Sequence, residues 1–219
     1  MSLEIFERML RQRCKNSYAD LKTGKREIRL QKERINVRAM KDLVKGKIDE
    51  ADLEESCLRT FGDILQDTAT EYAKSRGAKI YSGKVGTIEI DNLIDYNGTV
   101  YNFESKASIN LDKGKSRETK AEIHDKTKVT RHSTRNERQV VSGIIVWTKA
   151  REEDARKLAK PSLRTTKMFG YIDFFQIFDV IITEGPYKEM IRSVWAEEVK
   201  ALCILNKNHG ENQSKLEVQ

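Results

Sequence analysis

The Asn-Gly pair at residues 97–98 restricts the fold more than any other feature of this sequence, because it separates two segments in which apolar and polar residues alternate. Asn-Gly is the strongest short-range signal for a β-hairpin with a type I′ turn. If this pair forms the turn, residues whose numbers add up to 195 face each other across the strands. Asp91 then lies opposite Glu104, and Glu89 lies opposite Lys106. Since strand side chains alternate between faces, these four charged groups are predicted to share one face, with an apolar core face behind them.

The charged face of this hairpin has the composition of a cation site. Two carboxylates that face each other across a strand pair repel unless a cation lies between them. Mg²⁺ prefers carboxylate and water oxygens, and Lys106 is placed to polarise a water molecule or to stabilise developing negative charge. This combination fits phosphodiester hydrolysis. A simpler interpretation stays open at this point, namely a surface ladder in which Glu89 pairs with Lys106 while Asp91 and Glu104 are only solvated.

The patterns in the rest of the chain predict an α/β (α+β) protein, with a mixed β-sheet flanked by helices and a helical N-terminal extension. We expect helices over residues 3–20, 27–44, 49–77, 113–138, 152–160 and 186–205, and strands over residues 79–107, 140–147 and 171–182. A length of 219 residues suits one domain with an extension. The predicted division is a basic helical region at 1–48, a core at 49–208 and a polar tail at 209–219.

Basic residues are concentrated in two blocks of the chain. Lys and Arg total 41 against 34 Asp and Glu, which gives a formal net charge of +7. Residues 8–47 contain fourteen basic and four acidic residues, and residues 106–138 contain ten basic and five acidic residues. A polyanion is the natural partner of such blocks, and nucleic acid is the commonest polyanion inside cells. Charge alone also leaves open that these blocks are solvated helix faces.

Several other classes of protein are disfavoured by motifs that the sequence lacks. The apolar runs at 140–147 and 174–182 are too short to span a bilayer, and no signal peptide is recognisable, so we expect a cytoplasmic protein with no membrane partner. The three cysteines form no CxxC pair and the histidines form no HExxH motif, which argues against structural zinc. Without a GxxxxGK[ST] loop, no nucleotide cofactor is expected.

The hairpin resembles the active-site motif of a known enzyme family. Its residues Glu89-Ile90-Asp91, followed by the turn and by Phe103-Glu104-Ser105-Lys106, are similar to the motif of the PD-(D/E)XK nuclease superfamily. Ile90 stands where the name of the superfamily has proline. The resemblance covers roughly residues 50–150, where a helix, the hairpin, a basic helix and an apolar strand are predicted in that order. It implies a restriction-endonuclease-like fold for the core.

This resemblance implies a role for each residue of the motif. Asp91 and Glu104 would ligate one or two Mg²⁺ ions, and the backbone carbonyl of Ser105 would supply another ligand. Lys106 would orient or activate the attacking water.

Members of the family also use an acidic residue from the helix before the hairpin. Glu71 is the best-placed candidate on that helix, with Asp67 one turn earlier. Asp95 is the rival to Asp91 as the first carboxylate, although its position just before the turn is more typical of a residue that accepts hydrogen bonds from backbone amides.

The size of the chain and its basic extension resemble type II restriction endonucleases, which act as homodimers so that each subunit cuts one strand. The predicted partners are therefore double-stranded DNA and a second copy of the chain. Basic and amide side chains near the active strand would contact phosphates or base edges, and Met40 could wedge between bases. The predicted DNA-binding residues are Lys113, Lys115, Arg117, Lys120, Arg131, Arg135, Asn136, Arg138, Arg38, Met40 and Lys41. The alternatives are a Holliday-junction or repair nuclease of the same fold, and a non-catalytic DNA-binding protein.

Overall fold

The computed structural model describes residues 2–22, 55–85, 88–106, 113–134 and 138–199. The chain separates into two compact units, one of residues 1–68 and 185–219 and the other of residues 69–184. The predicted helix at 27–44, the predicted boundaries at residues 48 and 208, and the predicted polar tail lie outside the described residues.

The described residues form helices and a five-stranded sheet, which confirms the α/β class. None of the helices in this described part is long and apolar enough to cross a membrane. In chain order the elements are α1 (Ser2–Lys22), α2 (Glu55–Ser75), β1 (Lys79–Val85), β2 (Ile88–Tyr96), β3 (Thr99–Lys106), α3 (Lys113–Ser133), β4 (Gln139–Val146), α4 (Glu152–Leu158), a 3₁₀ turn (Pro161–Leu163), β5 (Met168–Gly170), α5 (Tyr171–Gln176), α6 (Glu184–Val194) and a π-helical turn (Trp195–Val199).

In the first unit, α1 buries one face of its helix, as the apolar spacing predicts. Phe6, Leu10 and Cys14 recur every four residues and are buried. Between them on the helix, the guanidinium of Arg11 donates to the Glu197 carboxylate at 2.8 Å. This ion pair therefore joins the first helix of the chain to the π-helical turn at the end of the described residues.

The burial of Cys14 leads to a prediction about its reactivity. Burial raises the pKa of this thiol to about 12, with a further contribution from the carboxylate of Glu198. Only the thiolate reacts with aromatic disulfide reagents, so we expect Cys14 to react about a thousandfold more slowly in the folded protein at pH 8 than in urea. Because the folded state holds the proton more tightly, the stabilisation from this group is complete below pH 9 and is lost as the pH rises towards 12.

The reagent should be tested in a Cys57→Ser/Cys203→Ser background, so that the thiol of Cys14 gives the whole signal. A reaction in the folded state as fast as that of the urea-unfolded chain would contradict the buried placement.

The sheet of the second unit is mixed, as predicted. β1, β2 and β3 are antiparallel neighbours, and β3, β4 and β5 are parallel neighbours, so that the strand order follows the sequence. The turn between β2 and β3 consists of Asn97 and Gly98, with φ of 47° and 77°. Two positive φ angles are what a type I′ turn requires, which confirms the predicted hairpin.

Helix α3 packs on this sheet through a compact apolar cluster. Ile123 of α3 is buried together with Ile144 and Val146 of β4, and with Leu163 and Met168 from the segments that follow. The predicted helices at 113–138 and 152–160 and the predicted strand at 140–147 are confirmed, with each end shifted by a few residues at most. This packing fixes α3 against the sheet beside the strand that carries the predicted motif.

The prediction of a strand over residues 171–182 is wrong. The aromatic residues Tyr171, Phe174 and Phe175 lie on helix α5, and the strand that precedes it, Met168–Gly170, was not predicted. Two physical features favour the helix. Its aromatic residues recur at three- and four-residue spacing, and the Asp173 carboxylate accepts a hydrogen bond from the backbone amide of Gly170 at 2.8 Å.

Candidate active site

Strands β2 and β3 pair only near their turn. The pairs run from Tyr96–Thr99 to Leu93–Asn102, and these four pairs have the register that the sequence predicts. Beyond them β2 continues along β1, whereas β3 continues along β4 to its last residue. The two strands therefore separate at the point where the predicted motif begins.

A β-bulge in β2 lies at this point. Between the pairs Tyr81–Leu93 and Gly83–Ile90, β2 has one residue more than β1. Asp91 lies within this bulge. Bulges bend a strand and redirect its side chains, and they are over-represented next to active sites.

The two predicted cross-strand pairs, Asp91–Glu104 and Glu89–Lys106, lie beyond the paired stretch of β2 and β3. The register inferred from the turn assumes an unbroken ladder between β2 and β3, but this ladder ends at Leu93–Asn102. The side chains of Glu89 and Asp91 are outside the described part of the structure, so the shared face of the four groups stays a prediction.

Glu104 is the centre of the described site. Its side chain is 14% exposed, and both of its carboxylate oxygens are in contact with lysine ammonium groups. Lys106 Nζ lies 2.8 Å from Oε1, and Lys126 Nζ of helix α3 lies 3.1 Å from Oε2. The interpretation of Glu104 as a merely solvated carboxylate is therefore wrong, because the group is enclosed between its own strand and α3.

The two lysines keep the Glu104 carboxylate ionised. Burial by itself pushes the pKa of this group upwards, but the charges and hydrogen bonds of Lys106 and Lys126 outweigh burial, so that the pKa lies below its ordinary value. An anionic carboxylate with little exposure to water is a strong oxygen donor. The described part of the site is therefore one ionised carboxylate between two ammonium groups.

Lys126 contacts Glu104 and is not among the site residues that the sequence predicts. On sequence alone, the basic residues of this segment are assigned to phosphate or base contacts. The inner face of the helix is formed by Ser116, Thr119, Ile123 and Thr130, all buried, and Lys126 lies in the same row with a side chain 12% exposed. Short polar residues recur on this face at helical spacing, and that pattern could have indicated that Lys126, which shares the face, is directed towards the sheet.

The backbone at Ser105 is fixed by a neighbouring tryptophan. The buried indole of Trp147 donates from Nε1 to Ser105 Oγ at 2.6 Å, and its backbone amide donates to the Lys106 carbonyl at 3.2 Å. Successive residues of a strand direct their carbonyls to opposite edges. The Ser105 carbonyl therefore points towards β2, the edge that the strand separation opens, which is consistent with its predicted role as a ligand.

Two buried polar atoms without hydrogen-bond partners lie further along the same strands. Asn102 and Ser142 pair in register between β3 and β4, and neither the Asn102 Nδ2 nor the Ser142 Oγ has a partner in the described structure. An unsatisfied buried hydroxyl lowers stability. We expect Ser142→Ala to leave the free energy of unfolding unchanged or to raise it by up to about 1 kcal/mol.

Urea denaturation with Ser105→Ala as the matched control tests this prediction. That variant removes the acceptor of a buried indole N–H, so it should lose about 1–3 kcal/mol. A loss of the same size in Ser142→Ala would show that the Ser142 hydroxyl has a partner.

The other predicted acidic residues are not brought into contact with Glu104 by any described interaction. Asp95 is buried and forms an ion pair with Arg138, instead of accepting from turn amides as predicted. Asp67 belongs to the first unit and lies 3.4 Å from Arg13. Glu71 is half-buried on α2 in the unit that contains the sheet, and its role stays a prediction.

The predicted DNA-binding residues on α3 lie on its exposed side. Lys115, Arg117, Lys120 and Arg131 are exposed, and Arg138 is partly exposed while it contacts Asp95. The side chain of Lys113 and the whole of Arg135, Asn136, Arg38, Met40 and Lys41 are outside the described residues. The exposed side of α3 therefore carries a modest excess of basic residues, since Lys128 is exposed there too and the acidic Glu118, Glu122 and Asp125 are exposed on the same helix.

The donor set of the site fits a hard divalent cation in part. The ionised Glu104 carboxylate and the Ser105 carbonyl are the oxygen ligands that Mg²⁺ prefers, and Asp91 lies on the facing strand. Among the side chains that the structure describes, however, no group of three His, Cys, Asp or Glu residues is placed to hold a metal ion. Both oxygens of Glu104 also contact ammonium groups, so a cation has to replace one of these contacts.

Comparison of the chain with known proteins found no matching family model, no matching curated protein and no matching solved structure.

Proposed function

We propose that this protein is a Mg²⁺-dependent endonuclease that hydrolyses phosphodiester bonds of double-stranded DNA at a specific short site, in the manner of a type II restriction endonuclease. The observation that carries the proposal is the enclosed, ionised Glu104 carboxylate in contact with Lys106, on a strand that separates from the one bearing Asp91. The residues belong to the motif that resembles the PD-(D/E)XK nucleases.

Each residue of the motif has a role in this proposal. Asp91, Glu104 and the Ser105 carbonyl would hold Mg²⁺, which supplies charge stabilisation and a more acidic water. The Lys106 ammonium donates a hydrogen bond that orients the attacking water, and it stabilises the negative charge that develops on the phosphate. Trp147 holds the strand in place through Ser105, so that the groups keep their positions during the reaction.

The excess of basic residues on α3 supports DNA as the substrate. The exposed basic residues of α3 lie on the helix that reaches Glu104 through Lys126, so phosphates bound along α3 run close to the site. A homodimer acting in the cytoplasm completes the proposal, because cutting both strands of a symmetric site needs two active sites.

Digestion of phage DNA, followed by sequencing of the fragment ends, tests this function. Discrete fragments that share one end sequence and require Mg²⁺ are expected. Cleavage confined to four-way junctions or to single strands would contradict the restriction activity and favour the junction or repair nuclease. Binding of DNA without cleavage, indifferent to Mg²⁺, would favour a non-catalytic DNA-binding protein.

A further inference from the structure

We infer that Lys126 is a positioning residue that competes with the divalent cation for Glu104 and so keeps the cation affinity of the DNA-free protein low. The inference rests on the proposed function, since it concerns the same carboxylate. It assigns to α3 a role beyond contact with phosphates.

The placement of Lys126 is unlike that of a surface lysine. Its side chain is 12% exposed, against 29% for Lys106, and its ammonium reaches across from α3 to Glu104 Oε2 at 3.1 Å. Lys128, two residues further along the same helix, is exposed. A lysine that is nearly excluded from water needs an anion beside it, and Glu104 supplies that anion.

The two described ammonium groups oppose a cation at Glu104. Both of them contact its carboxylate, one at each oxygen. A divalent cation at the carboxylate meets both ammonium groups at short range, where repulsion in a partly buried site is strong. Lys126 makes the longer of the two contacts, and Oε2 is therefore the oxygen that a cation takes by displacing it.

A DNA phosphate at the site would attract the displaced ammonium. Cation binding and DNA binding are then coupled, because phosphate releases Glu104 from Lys126 and the cation stabilises the released carboxylate. A protein without DNA keeps Glu104 paired with lysine.

The test is the affinity for Mn²⁺ in the absence of DNA, measured from the free-ion signal in electron paramagnetic resonance. Lys126→Gln removes the competing charge, so it should tighten Mn²⁺ binding by at least about tenfold. Lys126→Met, of similar length, should do the same, and it serves as the second variant if the glutamine variant does not fold. Lys126→Arg keeps the charge and should restore the weak affinity of the wild type.

Lys128→Gln is the matched control, because it removes one charge from the same helix at an exposed position and should change Mn²⁺ affinity by less than twofold. Adding Glu104→Gln to Lys126→Gln should abolish the tighter binding. With these controls, a gain in Mn²⁺ affinity that only Lys126→Gln and Lys126→Met show supports the inference.

The outcomes separate the inference from the proposed function. Equal Mn²⁺ affinity in wild type and Lys126→Gln would overturn the inference while the cation site stands. If Lys126→Gln binds Mn²⁺ and the wild type does not, the inference is supported even if the wild type cleaves no DNA. If neither protein binds Mn²⁺, both the inference and the cation requirement of the proposed function fail.

Discussion

A Lys106→Ala variant is expected to cleave duplex DNA about a thousandfold more slowly than the wild type while keeping most of its DNA affinity. Lys106 donates to Glu104 at 2.8 Å, and its ammonium is the group that orients water and stabilises the developing charge in the proposed reaction. Removing one such preorganised donor costs about 10²–10³ in rate. Single-turnover rates in Mg²⁺, with gel-shift affinities measured in Ca²⁺, separate catalysis from binding.

Lys74→Ala is the matched control for this prediction, because the same charge is removed from an exposed position on α2, away from the proposed DNA-binding helix. It should cleave within a few fold of the wild type. A Lys106→Ala variant that cleaves as fast as this control would remove Lys106 from the active site. A parallel loss of DNA affinity and of cleavage would assign Lys106 to binding alone.

A Gly170→Ala variant is expected to lose at least about 3 kcal/mol of folding free energy, or to fail to fold. A Cβ at this position would lie 2.3 Å from the backbone carbon and oxygen of Ala150 and 2.4 Å from the backbone nitrogen of Arg151. Backbone atoms cannot move aside as a flexible side chain can. The close approach joins the start of α5 to the segment after β4, next to Trp147.

Gly62→Ala is the opposite case and serves as the control. Gly62 lies inside α2, and an added Cβ would meet no atom within 4 Å. Alanine favours the helix over glycine, so this variant should gain up to about 1 kcal/mol. Urea denaturation of both variants tests the pair, and a loss below about 1 kcal/mol in Gly170→Ala would contradict the packing at this position.

The hairpin could be predicted from the sequence because its signal is local. Asn97 and Gly98 adopt positive φ with little strain, and the turn then sets the register of the four nearest pairs. The bulge at Asp91 could not be predicted in the same way. It depends on how β2 pairs with β1, and no residue of β2 by itself specifies an extra position.

The prediction of a strand where helix α5 lies was wrong for a different reason. Its aromatic residues are apolar enough for a buried strand, and the choice between helix and strand depends on the Asp173 carboxylate that accepts from the Gly170 and Glu152 amides. Glu152 is distant in sequence from α5. A short apolar run is ambiguous without such tertiary information.

The sequence predicts the residues of the candidate site that lie on β3, but not the residue that reaches it from α3. Glu104 and Lys106 are two residues apart on one strand, so alternation alone places them together. Lys126 reaches the same carboxylate from α3, and its contact depends on how the helix packs on the sheet. The number of basic residues in α3 predicts a surface that binds phosphates. It does not distinguish Lys126, which is enclosed, from the exposed basic residues of the same helix.

The most direct test of the central claim is incubation of supercoiled plasmid with the purified protein in Mg²⁺ and in chelator, beside the variants Glu104→Gln and Glu153→Gln. Glu153 is an exposed carboxylate on α4 and controls for the loss of one charge. We predict discrete cleavage products with the wild type and Glu153→Gln in Mg²⁺, and intact plasmid with chelator or with Glu104→Gln. Intact plasmid with the wild type in Mg²⁺, or equal cleavage by Glu104→Gln, would contradict the assignment of Glu104 to a nuclease active site.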